Sequence, residues 1–477
     1  MSIANVFKKF PKTFWVANTI ELFERWAWYG FFMLFANYLT GSSDAGGLEF
    51  TQTQKGMIMG IGTGILYFLP VITGSIADKY GYKKVLFIAF CIYTSAFILL
   101  PMFDTFTGVF IMYLYLALGA ALFKPVISAT VAKTTNDETA SIGFGIFYMM
   151  VNIGAFFGPM VTLLFKNSSY DLVFNISAAI VAVNFILLIF YKEPNRKPNT
   201  DSLAKSVINV FKNITLVILD FKFILFLLIV AGFWTMYNQL FFTLPVFIAQ
   251  WVDTSVIYNF FHNYMPFFSE NYGAHNGQME AEFIVNFDAM FIILFQIIVS
   301  SIVMKWKPLR TMMTGFFVCA IGMALTLFTQ NVLFTVAAIY IFAIGEMAGS
   351  PKITEYIGRI APADKKALYM GYSFIPVFLG NVFAGFIAGG VYQQMSDKTA
   401  FVKQEVAKRR LSLPENLSQN EYFNQAAERM NMTSHELTNY LWTSYNPSRI
   451  WMVILSIGLF AVVALFLYDK FIMNKKS

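Results

Sequence analysis

The chain has 477 residues, of which 57% are apolar and 13% charged, about half the ~25% charge of an ordinary soluble domain. So apolar a chain would expose large greasy faces to water. Its net charge of +7 is spread over loops rather than gathered in one patch, which excludes a nucleic-acid binder. The apolar residues fall in blocks of about 20, enough to cross ~30 Å of hydrocarbon. With no alternating segments of about 10 residues of the kind a barrel needs, the sequence reads as an all-α polytopic membrane protein.

Twelve transmembrane helices are expected. Spans 1 to 6 are Thr13–Leu39, Thr53–Ala77, Val85–Pro101, Phe106–Val131, Ile142–Phe165 and Leu172–Tyr191. Spans 7 to 12 are Phe223–Trp251, Phe283–Met304, Leu309–Thr329, Val332–Tyr356, Lys366–Tyr392 and Ile450–Tyr468. Lys8, Lys9 and Lys12 precede span 1 and no small-residue cleavage site follows it, so it is read as a span, not a removable signal. The chain divides into a six-helix half over 1–191, a basic linker over 192–222 and a second half over 223–477. An amphipathic stretch after Ser202 is expected to lie along the membrane surface. A polar segment, 393–447, separates the last two spans. Its capping boxes, Ser418-x-x-Glu421 and Thr433-x-x-Glu436, predict two short surface helices and a solvated loop, lid or contact surface. Many secondary transporters are built from two such halves with a site between them.

Basic residues set the orientation. One side collects Lys8, Lys9, Lys12, Lys79, Lys83, Lys84, Lys133, Lys192, Arg196, Lys197 and Lys205. It continues with Lys305, Lys307, Arg310, Arg359, Lys365, Lys366, Lys470, Lys475 and Lys476. The short loops opposite hold Lys55 and Lys166, and the stretch 251–283 has Asp253, Glu270, Glu280 and Glu282 but no base. Both termini are therefore expected in the cytoplasm, in a multi-pass protein of the cell (inner or plasma) membrane.

Span 1 carries Glu21, Glu24, Arg25 and Trp28 on one helical face. A charge at the bilayer centre costs about 2.5–3.5 kcal/mol on insertion scales. Three together must face a cavity and pair internally, as a structural ion-pair cluster or as a relay for protons and substrate. The loop after span 2 reads Gly74-Ser-Ile-Ala-Asp78-Lys79-Tyr-Gly81-Tyr-Lys83-Lys84. Glycine permits a tight turn, Asp78 can cap or pair, and the lysines hold the loop at the membrane face.

That loop resembles the signature loop of the major facilitator superfamily, where it latches the inner gate. Glu21-x-x-Glu24-Arg25-Trp-Ala-Trp28-Tyr29-Gly30 is similar to the E-x-x-E-R-F-x-Y-Y-G motif of the proton-dependent oligopeptide transporters. Gly119-x4-Lys124-Pro125-x-x-Ser128 and Phe147-Tyr148-x-x-x-Asn152-x-Gly154 resemble that family's span-4 and span-5 signatures. Phe233-Trp234-x-x-x-Asn238-Gln239 and Gly345-Glu346-x-x-x-Ser350-Pro351 follow in spans 7 and 10.

The resemblance implies the major facilitator fold and a proton-coupled symporter importing di- and tripeptides by alternating access. Glu21, Glu24, Arg25 and Lys124 would form the proton-coupling group. Arg25 and Lys124 would meet the peptide carboxylate, and Glu346 its amino terminus. Asn152 would bond the peptide backbone, while Tyr29, Tyr67, Trp234, Asn238 and Ser350 would line the pocket. Gly74, Asp78, Lys79, Gly81, Lys83 and Lys84 would be the gate loop.

Three features depart from the family. Asn238 stands where its span-7 acid is usual, Asp288-Ala289 stands where span 8 usually has Asn-Pro, and the linker is too short for the two extra spans of many bacterial members. Asp288 is therefore a candidate for both proton coupling and substrate binding. Transport of another small zwitterion or amphiphile, with proton coupling altered or absent, remains an alternative, as does a non-transporting receptor.

Gly56-x3-Gly60-x3-Gly64 and Gly385-x3-Gly389 predict close helix packing, Pro70, Pro159 and Pro376 predict kinks, and Phe-rich stripes are read as facing lipid. His262, His275 and His435 fall in loops without metal-ligand company, and Cys91 and Cys319 are too far apart in sequence to read as a metal site or a structural disulfide. No cofactor, metal site, nucleic-acid partner or enzyme active site is expected. The expected partners are a small peptide, protons and the lipid bilayer, and the expected state is a monomer.

Overall fold

The computed structural model describes residues 9–136, 139–166, 169–195, 219–274, 276–327, 329–361 and 372–473, together with 205, 208, 212, 369 and 370. The stretch after Ser202 lies mainly outside them, as do Lys8, Arg196, Lys197, His275, Lys365, Lys366, Lys475 and Lys476.

Each expected span has a helical counterpart. Among the described residues, nine helices are long and apolar enough to cross a bilayer, and the bent pair Gln52–Phe68 and Pro70–Tyr80 makes a tenth. Span 1, Lys12–Thr40, has 29 residues but holds Glu21, Glu24 and Arg25 in its middle. Span 9, Pro308–Ala324, has 17 residues, or about 26 Å at 1.5 Å per residue. Span 12 runs Ile450–Tyr468, as expected.

Several spans are interrupted. Span 2 bends by 43° at Pro70. Span 7 is Phe221–Tyr237, Gln239–Phe242 and Leu244–Trp251, broken at Asn238 and Thr243. Asn238 turns its amide back onto the Trp234 carbonyl at 2.9 Å, the local competition that disfavours asparagine inside helices. Span 8 is Ala281–Val285 and Phe287–Val303. Span 11 passes from Ile375–Phe386 through a π turn to Tyr392–Met395. Of the other two prolines, Pro159 lies inside the continuous helix Ala140–Lys166. Pro376 occupies the first turn of its helix, where a missing N–H is tolerated.

Two readings need correction. The polar segment forms three helices, not two. Both capping boxes close, at Gln419–Arg429 and Ser434–Tyr445, but Lys398–Lys408 precedes them, capped by Asp397. The phenylalanines do not simply face lipid: Phe31, Phe35, Phe90 and Phe97 are fully buried, because aromatic packing fills the core between spans 1, 3, 4 and 6.

Span 1 packs on spans 5 and 6, span 3 on 4 and 6, span 7 on 11 and 12, and span 9 on 10 and 12. The halves meet where span 2 lies on span 11, span 5 on span 8, and span 1 on span 7. The two glycine stripes form one of these contacts. A Cβ on Gly60 would stand 2.8 Å from the Gly385 Cα, and one on Gly56 2.7 Å from the Gly389 Cα.

The halves are sealed at the end that carries residues 41–51 and 393–447. Asn37 donates to Glu282 at 2.9 Å, Lys166 to Glu282 at 3.1 Å and to Glu280, and Asn286 to the Phe156 carbonyl at 3.1 Å. Fully buried Lys55 donates at 2.9 Å to the Phe242 carbonyl, which the break in span 7 leaves free. Gln52 reaches Asp397, Thr53 reaches Gln393, and the backbone N–H groups of Gln419 and Asn420 bind Glu49 and Ser42. Towards the opposite, basic end the halves enclose a cavity.

Candidate functional site

In the first half the charges compensate one another. Glu21, Glu24 and Arg25 are at most 5% exposed. The Arg25 guanidinium grips Glu24 with both Nε and Nη2, the latter at 2.6 Å, and lies 3.4 Å from Glu21. The Tyr93 hydroxyl donates to the same Glu24 carboxylate. Separating such a buried pair costs about 3–5 kcal/mol, so Arg25 is held in place by its own helix. Gly154 lets span 5 approach, since a Cβ there would stand 2.7 Å from the Arg25 Cβ.

Lys124 has no carboxylate within 4 Å among the described residues, and its ammonium stands 4.2 Å over the Tyr67 ring. Pro125 follows it inside span 4 and leaves the Ala121 carbonyl without a helical donor. The Thr73 hydroxyl from span 2 fills that place.

The second half carries acids without bases. Glu346 accepts a 2.8 Å hydrogen bond from the Tyr237 hydroxyl. Its other oxygen, and one oxygen of Asp288, are buried without a hydrogen-bond partner among the described residues. Glu346 and Asp288 are 9% and 6% exposed and close enough to interact electrostatically. Gly345 seats span 10 on span 9 beside them: a Cβ there would stand 2.7 Å from the Cys319 sulfur.

Between the halves lies a cavity of about 850 Å³. Its lining runs from Phe32 and Phe241 beneath the seal to Phe144, Thr354 and Met370 towards the basic end. Tyr29, Tyr67, Trp234, Asn238 and Ser350 line it, as the motifs imply. Asn152 lines an adjoining cavity of about 790 Å³ that shares Tyr148, Gln296, Ser300 and Pro351. Glu21, Glu24, Arg25, Asp288 and Glu346 are buried behind this wall, and Lys124 is half-buried beside Tyr67. Tyrosines join the layers: Tyr67 covers Lys124, Tyr29 lies 5.9 Å from Arg25, and Tyr237 holds Glu346.

The loop after span 2 is bound to its own half. Gly81 takes φ 103°, a backbone region that favours glycine. The Tyr82 hydroxyl donates to Asp78 at 3.1 Å and accepts from Lys133 at 2.8 Å. Lys83 reaches the carbonyls of Ile189 and Tyr191. Gly74 packs near Pro125, while Lys84 is exposed and Lys79 lies 5.9 Å from the Tyr80 ring.

The motifs did not single out Tyr237, Tyr93 or the sealing set of Lys55, Lys166, Glu280 and Glu282. Tyr237 had a sequence signal, a polar-tipped ring one helical turn beyond Phe233 and next to Asn238. Lys55 and Lys166 had another, as the only bases in the short loops of that side.

The family model of the Major Facilitator Superfamily matches residues 18–385. An uncharacterized MFS-type transporter, YqjV, of Bacillus subtilis (strain 168) is 23% identical over 74% of this chain and 80% of its own length. A di-/tripeptide transporter of Lactococcus lactis subsp. cremoris is 25% identical over 42% of each chain. The crystal structure of a peptide transporter, POT, in complex with sulfate superposes with a TM-score of 0.69 at 17% identity, covering 96% of this chain and 95% of the other. This family and fold are those of membrane transporters, not of enzymes.

Proposed function

The chain belongs to the major facilitator superfamily, and on that premise we propose that it is a proton-coupled symporter of small peptides. One observation carries the reading: the cavity has Arg25 and Lys124 behind one wall and Asp288 and Glu346 behind the other. A zwitterion bridging them places its carboxylate towards the bases and its ammonium towards the acids. Such charges are costly to bury unless substrate or proton neutralises them. The curated name of the Lactococcus relative supports the same substrate class.

In the proposed cycle the two halves rock about the cavity. The sealed face is external, the basic end and both termini are cytoplasmic, and the protein works as a monomer in the cell membrane. The seal described above closes the external side while the cavity is reached from the cytoplasm. Protons moving inward supply the driving force, ~2.3 kcal/mol per charge per 100 mV.

Uptake of labelled dialanine into proteoliposomes, with and without an imposed pH gradient, tests substrate class and coupling together. Accumulation above equilibrium that needs the gradient is expected. No accumulation with the gradient present would overturn the reading.

A second reading is favoured by Asn238, which cannot titrate and whose amide donates to its own helix. On that reading the cargo is another small zwitterion, and binding assays comparing dialanine with free amino acids separate the two.

A further inference from the structure

Around the cavity the two halves differ in charge balance. Glu21 and Glu24 stand with Arg25, and Lys124 is on the same side. Asp288 and Glu346 have no basic group within 4 Å among the described residues. The titratable groups that face them are Tyr237 on span 7, Tyr148 on span 5, Tyr29 on span 1 and Cys319 on span 9. Lys352, nearly two turns further along span 10, is occupied by Glu355 at 2.7 Å. Two buried carboxylates that feel each other's charge among neutral groups are costly to keep ionised together, because like charges in a low-dielectric site repel strongly.

The unpartnered oxygens say where a proton would sit. Tyr237 satisfies one oxygen of Glu346 from the cavity side. The other Glu346 oxygen and one of Asp288 are buried with nothing donating to them. These two orphan oxygens, one on each acid, are the places left for a proton.

We propose that Asp288 and Glu346 together form one proton-binding site, a carboxylate pair sharing a proton behind Tyr237. One proton leaves the pair with a single negative charge, and the ammonium of a bound substrate neutralises that charge. Proton and amine therefore occupy the site together, which links their movement across the membrane. The span-1 acids are held by Arg25 and Tyr93 and take no part in this pair. This last linkage rests on the symporter reading; the shared proton does not.

The test is infrared spectroscopy of the carboxylic-acid C=O stretch during a pH titration, beside dialanine uptake in proteoliposomes. Wild-type protein should keep a protonated-carboxyl band at pH values where exposed carboxylates have lost theirs. On a Glu21→Gln background, which removes the contribution of that other buried acid, Asp288→Asn and Glu346→Gln should each move its loss to lower pH or remove it, and the double variant should abolish it. Both substitutions are nearly isosteric, and a Tyr237→Phe variant, which leaves both acids intact, should retain the band with a shifted frequency. A band indifferent to both single variants, or surviving in the double variant, would overturn the proposal. If the band behaves as stated but the wild type moves no dialanine, the transport reading falls and the pair stands. If a gradient drives uptake while the band ignores both acids, the pair falls and the transport reading stands.

Discussion

Removing the Glu282 carboxylate should unlock the sealed face. Glu282 is fully buried and binds Lys166 at 3.1 Å and Asn37 at 2.9 Å, both across the seam between halves. Hydrogen bonds to charged groups contribute about 1.5–3 kcal/mol each, so Glu282→Ala withdraws about twice that from the sealed arrangement. Lys166 keeps Glu280 as a partner, which puts the net loss near the lower end, at about 3 kcal/mol. That corresponds to a shift of ~150-fold in the balance between sealed and open forms. Spin labels at Asp104→Cys and Glu270→Cys, on a background with Cys91 and Cys319 replaced by alanine, would report it as a distance distribution. Both label sites are exposed and lie on opposite halves of the same face. Glu282→Ala should add or enlarge a longer-distance population, and Glu280→Gln combined with it should enlarge that further. Glu415→Ala, which removes an exposed carboxylate of the polar segment, should change nothing. An unchanged distribution in both the single and the double variant would refute the reasoning that these contacts hold the face shut.

Other variants probe other contacts. Lys124→Gln should weaken dialanine binding by about 1.5–3 kcal/mol, roughly 10- to 150-fold, measured by titration in detergent; unaltered affinity would remove Lys124 from the site. Gly60→Ala places a methyl 2.8 Å from the Gly385 Cα, and such overpacking costs about 1–3 kcal/mol. The melting temperature should fall, or the same spin labels should move apart. Thr73→Val leaves the Ala121 carbonyl beside Pro125 without a donor and should destabilise by about 1–3 kcal/mol, read from thermal unfolding. Acid should loosen the docking of the polar segment. Burial pushes the Glu49 carboxyl up, but the N–H groups of Ser43 and Gln419 and the hydroxyls of Ser42 and Ser43 outweigh it and hold the group below its ordinary value. Its contribution is therefore complete above the ordinary carboxylate range and lost as pH falls below it. Glu49→Gln should remove that dependence from the labels' distance distribution.

The spans were legible because hydropathy and length are enough to specify a membrane helix. Span 12 matches to the residue, and both capping boxes close as written. The breaks were less legible. Nothing in the apolar run of span 7 distinguishes an asparagine that caps its own helix from one that faces a ligand, and Asn238 does the first while lining the cavity. The glycine stripes predicted close packing, but their pairing across the halves is a tertiary fact. Tyr29, Tyr67, Trp234, Asn238 and Ser350 came together around one cavity and Asn152 in the adjoining one. Which of them touch it was not readable from spacing, because a helical face gives direction and not depth.

Depth is the physically informative part of this site. A charge at a cavity wall keeps much of its hydration, whereas a charge one layer behind must be satisfied by protein. On span 1 that demand is met, since Arg25 divides its guanidinium between two carboxylates and Tyr93 donates to one of them, whereas half-buried Lys124 has only the face of Tyr67. Cation–π contact with a partly desolvated ring is worth about 2 kcal/mol, too little to replace a counter-ion, so Lys124 retains a charge deficit that a carboxylate entering the cavity would relieve. In the second half Tyr237 satisfies one oxygen of Glu346, while its other oxygen and one of Asp288 are buried without a partner among the described residues. The two deficits have opposite sign and face one another across the cavity. A molecule with both charges relieves both at once, while a monovalent ion of either sign relieves one and leaves the other buried. That asymmetry of cost, rather than any single contact, would make the cavity select for a zwitterion.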